Sequence, residues 1–449
     1  MALRTLLAAA AAAPEQTVCA HADHCVPRSA CRWVLCVRMV CMGPLVSERW
    51  RTVHLGRAVA QDDFSHGRGR GRTTGVCARP AGVTRSVIAI LFGGRSGEHP
   101  ISLRSSRFVV ESLDRGRYAP LLLGIDRDGG WHLLAEDAYW DLEDEVGRGA
   151  GRPVVPMPRG GRLALLDPTR PQDALAEADA VFPMLHGSYG EDGAMQGLLD
   201  TFDVPYVGVG VLAAAVCMDK DVCKRLLRDA GVPVVPWITI TAARWTTERA
   251  ALRAAATALG RPLFVKPASL GSSLGVTRVS EGAAATFDAA VDAALALDAK
   301  VLVERGIDGR EIECAVLGND DPQVAVPGEI VPGAAFYSFE DKYAVDSLAQ
   351  ARIPADLDDA ARTRLVALAL RAYRTLECTG MARVDFFLER GSGALYLNEL
   401  NTIPGFTSIS MYPKMWEASG LPGGALVSRL IELAFARCAE RRRRARRTP

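Results

Sequence analysis

Two short apolar runs near the end of the chain, Ala382 to Leu388 and Ala394 to Leu400, are rich in Val, Phe, Leu and Tyr and are separated by Gly391 to Gly393. That pattern predicts a β-hairpin, and a hairpin constrains which polar side chains meet. On a strand, residues i and i+2 point to one face about 6–7 Å apart. Arg383 and Asp385 therefore share a face, as do Glu399 and Asn401 on the other strand. Where the two faces coincide, three oxygen donors converge beside a guanidinium. Mg2+ favours such a set, because it takes oxygen ligands in near-octahedral geometry and completes its shell with water and phosphate. A pair of exposed strands with alternating polar residues is the competing reading. The turn that follows, Thr402 to Ser408, weighs against it, since its Gly, hydroxyls and backbone amides suit an anion such as a carboxylate.

Upstream, KPASLGSSLGV (Lys266 to Val276) ends an apolar strand on a lysine and continues into a loop containing Ser269, Gly271, Ser272, Ser273 and Gly275. Such a loop offers N–H groups and hydroxyls to phosphate oxygens without side-chain obstruction. In VLVERGIDGREIEC (Val301 to Cys314), Glu304, Arg305 and Ile307 close a strand where they can meet an adenine edge, with Glu311 placed for ribose hydroxyls. Lys220 and Lys342 are further candidates for phosphate charge. GVGVLA (Gly208 to Ala213) matches a dinucleotide fingerprint, but the acid about twenty residues on, Asp229, falls inside a helical pattern instead of ending a strand. No GxxxxGK[ST] occurs, so a P-loop is excluded as a motif.

The chain of 449 residues is long for one domain, and its apolar fraction of 49% supports sizeable cores. With a formal net charge of +1, nothing global points to nucleic acid. Residues 1–84 read differently from the rest: they hold six of the eleven cysteines and the GRGRGR run, with no sustained periodicity. They are expected to be a disordered extension or a translation begun upstream of the true start. Domains are expected at 85–217 (N-terminal α/β, with a parallel sheet), 218–310 (central α+β) and 311–438 (metal and substrate), followed by a solvated basic tail at 439–449. Cys217, Cys223, Cys314, Cys378 and Cys438 lie in apolar surroundings and are expected to be buried reduced thiols in a cytoplasmic protein. No apolar run approaches the eighteen residues that a membrane-spanning helix needs.

Taken together, LFGGRSGEHPISLRSS, HGSYGEDGAMQGLLD, CMDKDVCKRLLRDAG, FVKPASLGSSLGV, VERGIDGREIECAVLGN, FYSFEDKY, MARVDFFLE and LNELNTIPGFTSISMYPKMW resemble, in order and without large gaps, the D-alanine–D-alanine ligases of the ATP-grasp superfamily. The resemblance covers Ser86 to about Phe435. It implies an ATP-grasp fold of three subdomains, α/β and α+β. It also implies an ATP-dependent ligation of two D-alanines to D-alanyl-D-alanine through an acyl phosphate, for peptidoglycan precursors. Lys220, Lys266 and Ser273 look like phosphate ligands, and Glu304, Arg305, Ile307 and Glu311 like adenine and ribose contacts. Lys342 would reach the γ-phosphate. Asp385, Glu399 and Asn401 look like the ligands of two Mg2+ ions, which Mn2+ can replace, and Arg383 like the arginine at the oxyanion. Glu98 would hold the first D-alanine's ammonium in a triad with Ser272 and Tyr343. His186 would lie beside that amino acid, with Gly405, Ser410 and Met411 around the second. The family implies a cytoplasmic homodimer that engages neither nucleic acid nor membrane. A tyrosine at 343 fits the dipeptide-forming branch; a D-lactate or D-serine ligase is the alternative. Ser188, Ala214 and Arg305 depart from the usual residues, and none removes an assigned chemical group.

Overall fold

The computed structural model describes residues 85–280, 284–331 and 350–446. The expectations for residues 1–84, and for Lys342 and Tyr343, fall outside the described residues.

Strands fall into three sheets. The first contains β1 (Ser86–Gly93), β2 (Tyr118–Ile125), β3 (Trp131–Leu134), β4 (Arg152–Arg159), β5 (Arg162–Asp167), β6 (Arg170–Ala178) and β7 (Ala180–Pro183), in the order β6-β5-β4-β3-β2-β1-β7. Only β2, β1 and β7 are parallel; β3 to β6 form an antiparallel meander, so the expected parallel sheet makes up one end of a mixed one. The meander was hard to read because β4, RPVVPMPR, carries three prolines, which have no N–H for a ladder. The register shows how they are tolerated: residues 152–154 pair with β3 and residues 155–159 with β5, so each proline faces a single partner strand.

Helices α1 (His99–Ser112), α2 (Glu136–Trp140), α3 (Ala194–Thr201) and α4 (Val211–Met218) belong to the same half of the chain. Next come α5 (Lys220–Asp229), β8 (Trp237–Thr241), α6 (Ala242–Thr247), α7 (Arg249–Ala258), β9 (Leu263–Pro267), β10 (Thr277–Val279), α8 (Ala284–Leu295) and β11 (Lys300–Arg305). Their strands make a four-stranded antiparallel sheet, β10-β9-β11-β8, whose own core is built on Trp245, Phe287, Val265 and Val303. The last sheet runs β15-β14-β12-β16-β17, with β13 beside β12: β12 (Gly309–Gly318), β13 (Gln323–Val324), β14 (Gly328–Val331), β15 (Gln350–Arg352), β16 (Gly380–Glu389) and β17 (Leu395–Asn401). It carries α9 (Asp359–Thr375), α10 (Met411–Ala418) and α11 (Gly423–Ala445).

The cores run across the boundaries suggested by the sequence. One joins Ile90 and Phe182 of the first sheet to Met381, Phe406, Tyr412 and Leu430, and another joins Ala214 and Leu227 to Val316, Val384 and Tyr373. Cys217, Cys223, Cys314, Cys378 and Cys438 are all buried and free, as expected. The first part of the arginine run is helical and paired, while Arg443 and Arg444 stay largely exposed, as expected of a solvated tail. Helix α11 continues to Ala445, Arg441 pairs with Asp200 and Asp203, and Arg442 pairs with Asp203.

Candidate active site

The expected hairpin forms, and its register sets Arg383 opposite Asn401 and Asp385 opposite Glu399, so the two polar faces coincide. The register shifts between Asp385 and Phe386, where Phe386 pairs with Leu397, leaving Asn398 as the extra residue of a bulge. Asp385 is buried and engaged on both oxygens. Arg383 donates Nε to Oδ1 at 2.8 Å and Nη2 to Oδ2 at 2.7 Å, and the Asn401 amide donates to Oδ2 at 2.9 Å. The same guanidinium lies 3.3 Å from Glu313 on β12. Burial lowers the Arg383 pKa, but Asp385 and Glu313 outweigh it and hold the group firmly protonated. Asp385, Glu399 and Asn401 are all oxygen donors of the kind Mg2+ takes, and Lys220 lies 3.6 Å from Glu399. Among the described residues, no three His, Cys, Asp or Glu side chains are gathered as a metal site. The donor set is therefore two carboxylates and an amide, with Asp385 tied to Arg383.

Next to the hairpin lies a cavity of about 270 Å3, between the four-stranded sheet and the last one. Lys220, Lys266, Ser273, Glu304, Arg305, Ile307, Glu311 and Glu399, eight of the residues singled out in the sequence, line it. Phe264, Val235 and Val331 give it apolar walls. Lys220 starts α5, whose N-cap Asp219 accepts from the N–H groups of Asp221 and Val222. Its ammonium donates to Leu270 O at 2.7 Å. Lys266 reaches Glu304 Oε2 at 2.8 Å and Asn398 Oδ1 at 3.3 Å. Behind Glu304 stands Lys224, 3.0 Å from Oε1. Burial pushes the Glu304 carboxyl up, and the two lysines more than reverse this, leaving it below the usual range. Arg305 turns its guanidinium to Glu389 at 3.2 Å and over the Tyr396 ring.

A second cluster surrounds Glu98, the residue before α1. Its carboxylate accepts from the Ser272 hydroxyl. Ser272 and Ser273 have φ of 51° and 60°, a left-handed conformation that turns the loop toward Glu98. Gly187 is required here: its φ is 72°, and a Cβ would come 2.5 Å from Glu98 Oε2. His186 is buried. Its Nδ1 lies 3.0 Å from the Ile403 carbonyl, which can only accept, so Nδ1 carries the proton and Nε2 accepts from Ser105 Oγ at 2.9 Å. Burial lowers the His186 pKa against the opposing pull of Glu98 and the Ile403 carbonyl. Glu191 bridges the same turn, accepting from Gly187 N at 2.8 Å and Ile403 N at 3.0 Å. Burial and Glu98 push its carboxyl up to about 8. Farther along, Ser410 Oγ accepts from Thr407 N at 3.0 Å, and a Cβ on Gly405 would lie 3.1 Å from that oxygen. Met411 begins α10 and is buried.

Among the described residues, the structure thus gathers Lys220, Lys266, Ser273 and the adenine and ribose candidates on one cavity, the hairpin residues beside it, and Glu98, Ser272 and His186 in an adjoining cluster. Lys224, Glu191, Glu313, Asn398 and Ser105 were missed. Glu191 lay in the quoted HGSYGEDG loop; the others depend on a bulge or on contacts distant in sequence.

Two sheets close on a lysine-lined cavity with a carboxylate hairpin at its rim, and the comparisons with known proteins place this arrangement among the ATP-grasp ligases. The chain matches two family patterns, D-ala D-ala ligase N-terminus over residues 87–209 and D-ala D-ala ligase C-terminus over residues 226–432. It is 46% identical to D-alanine--D-alanine ligase A of Salmonella typhimurium over 354 residues, 78% of this chain and 96% of that protein. It is also 46% identical to D-alanine--D-alanine ligase A of Escherichia coli strain K12, over 78% of this chain and 96% of that protein. Among solved structures, the D-alanine-D-alanine ligase from Coxiella burnetii matches at 39% identity and a TM-score of 0.70, covering 81% of this chain and 97% of that one. The VanG D-Ala:D-Ser ligase from Enterococcus faecalis matches at 34% and 0.67, over 78% and 100%. The chain belongs to the D-alanine–D-alanine ligase family. It is an enzyme that ligates D-alanine to D-alanine, with ATP as the family's co-substrate.

Proposed function

We propose that the cavity between the two sheets binds ATP and that Glu98, Arg383 and the turn from Gly405 to Met411 hold two D-alanines for condensation. The carrying observation is the convergence of Lys220, Lys266, Glu304, Ile307, Glu311 and Glu399 on one cavity. Lys220 and Lys266 place two ammonium groups where phosphate oxygens would lie, and Glu304 accepts from an adenine amino group. Glu98 binds the first substrate's ammonium, with Ser272 fixing the carboxylate, and Ser410 takes the second substrate's carboxylate. The first carboxylate attacks the γ-phosphorus of ATP, ADP leaves, and the resulting acyl phosphate is attacked by the neutral amine of the second D-alanine with loss of phosphate. Arg383 faces the negative charge that develops on the carbonyl oxygen. Asp385, Glu399 and Asn401 would hold Mg2+, which supplies charge neutralisation for the transferring phosphoryl group. Lys342 and Tyr343 belong to the same proposal as γ-phosphate and triad groups.

The proposal extends to a homodimer acting in the cytoplasm in peptidoglycan precursor synthesis, organised in domains at 85–217, 218–310 and 311–438. No described helix is long and apolar enough to cross a membrane. D-Alanine as second substrate is supported by the 46% identity to the D-alanine--D-alanine ligases of Salmonella typhimurium and Escherichia coli. The test offers ATP, Mg2+ and D-alanine with equimolar D-lactate or D-serine. D-Alanyl-D-alanine as the main product supports the proposal; a depsipeptide or D-alanyl-D-serine as the main product would overturn the second-substrate assignment.

A further inference from the structure

Lys224 lies four residues after Lys220 on α5, one turn along the same helix, and its side chain is 1% exposed. Its ammonium faces Glu304, 3.0 Å from Oε1, while Lys266 takes Oε2 at 2.8 Å. Lys266 pairs with Leu302 across β9 and β11, so Lys266 and Glu304, two residues beyond Leu302, share one face of the sheet. Two buried cations thus share one buried carboxylate, and the nearest further acceptor of Lys266 is the neutral Asn398 amide at 3.3 Å. Buried charges are ordinarily matched one to one, because an unmatched one keeps its desolvation cost. The excess here is one positive charge beside a cavity. Lys266 and Glu304 line that cavity; Lys224 does not and stands behind the carboxylate.

We propose that Lys224 is a positioning residue for nucleotide phosphate: it keeps Glu304 paired from behind, so Lys266 can leave that carboxylate for a phosphate oxygen without stranding a buried charge. The proposal rests on the reading of the cavity as the nucleotide site. With Lys224 absent, Glu304 has Lys266 as its one remaining ammonium partner, and binding phosphate would then require breaking a buried ion pair. Affinity for the phosphates falls, while affinity for the nucleoside is retained.

The experiment measures equilibrium binding of ADP and of adenosine, with KM for ATP and for D-alanine, in the full-length protein and in Lys224→Met, Lys224→Met/Glu304→Gln and Lys266→Met. Lys224→Met is expected to weaken ADP at least about tenfold, with adenosine affinity and KM for D-alanine within about twofold. Glu304→Gln alone, measured in parallel, carries whatever the adenine contact itself costs. In that background the carboxylate that traps Lys266 is gone, so adding Lys224→Met should change ADP affinity by no more than about twofold, which a merely structural role for Lys224 would not produce. Unchanged ADP affinity in Lys224→Met, parallel loss of ADP and adenosine, or a further loss of about tenfold on adding Lys224→Met to Glu304→Gln would overturn the proposal. The double variant also carries the test if Lys224→Met alone fails to fold, because its ADP affinity must then lie near that of Glu304→Gln. Lys266→Met separates the two readings: if it leaves ADP affinity unchanged, the nucleotide-site assignment itself fails. If it weakens ADP while Lys224→Met does not, only the role of Lys224 fails.

Discussion

Arg383 carries the electrostatics of the hairpin, because one guanidinium answers both Asp385 and Glu313 in a buried place. Removing one member of a buried pair costs about 3–5 kcal/mol, since the charges left behind remain desolvated. Arg383→Met should therefore lower unfolding free energy by about that amount in urea titrations, besides abolishing turnover. Arg383→Lys keeps the charge but loses the fork and should sit between the two. Gly187→Ala acts on Glu98 instead. A methyl group there meets the Glu98 carboxylate in a left-handed backbone, so KM for D-alanine should rise while ATP affinity stays near the parent's. At this scale the sequence was legible where chemistry is local: a lysine before a Gly/Ser loop, or alternating acid and arginine on a strand. It was silent on Glu313, Lys224 and Asn398, whose roles come from strand register, a neighbouring helix and a bulge.

The elements follow the same division. The hairpin at Gly380–Asn401 was readable because its alternation and glycine turn are contiguous. The meander β3 to β6 was not, because prolines and exposed positions in β4 remove the alternation that marks a strand, and only the offset pairing shows how it fits. Residues 439–449 were expected to be a solvated tail, but helix α11 continues to Ala445, and acidic residues far away in sequence, Asp200 and Asp203, receive Arg441 and Arg442. Those arginines are about one-third exposed, so Arg442→Ala should cost no more than about 1 kcal/mol. Arg437 differs. It is half-buried over the Tyr206 ring and donates to Tyr206 O and Thr379 Oγ1, so Arg437→Met leaves part-buried acceptors unmet and should cost about 1–3 kcal/mol in thermal or urea unfolding.

Across the molecule, pH acts through buried groups that join distant segments. His99 accepts from Val146 N and His186 accepts from Ser105; burial lowers both pKa values from the ordinary 6.5. A base whose folded pKa is depressed leaves stability intact above the unfolded value and removes it as pH falls, since the unfolded chain then binds more protons. Unfolding free energy should therefore decline below about pH 6.5. Glu191 has the opposite sign: its carboxyl rises from 4.5 to about 8, so its contribution is complete below 4.5 and is lost as pH climbs to about 8. Glu191→Gln should flatten that alkaline limb in stability measured against pH. The whole-molecule arrangement, three sheets with cores shared between them, was visible in outline from the order of segments. The sharing was not, because it depends on which apolar faces meet.

The central claim is that the carboxylates of the hairpin serve the reaction and not merely the fold. Its most direct test is D-alanine-dependent phosphate release from ATP and Mg2+, with D-alanyl-D-alanine quantified, in the parent protein and in Glu399→Gln. The account predicts equal phosphate and dipeptide in the parent, and loss of both by at least about a hundredfold in the variant, with its unfolding curve unchanged. A variant that turns over at the parent's rate would contradict it.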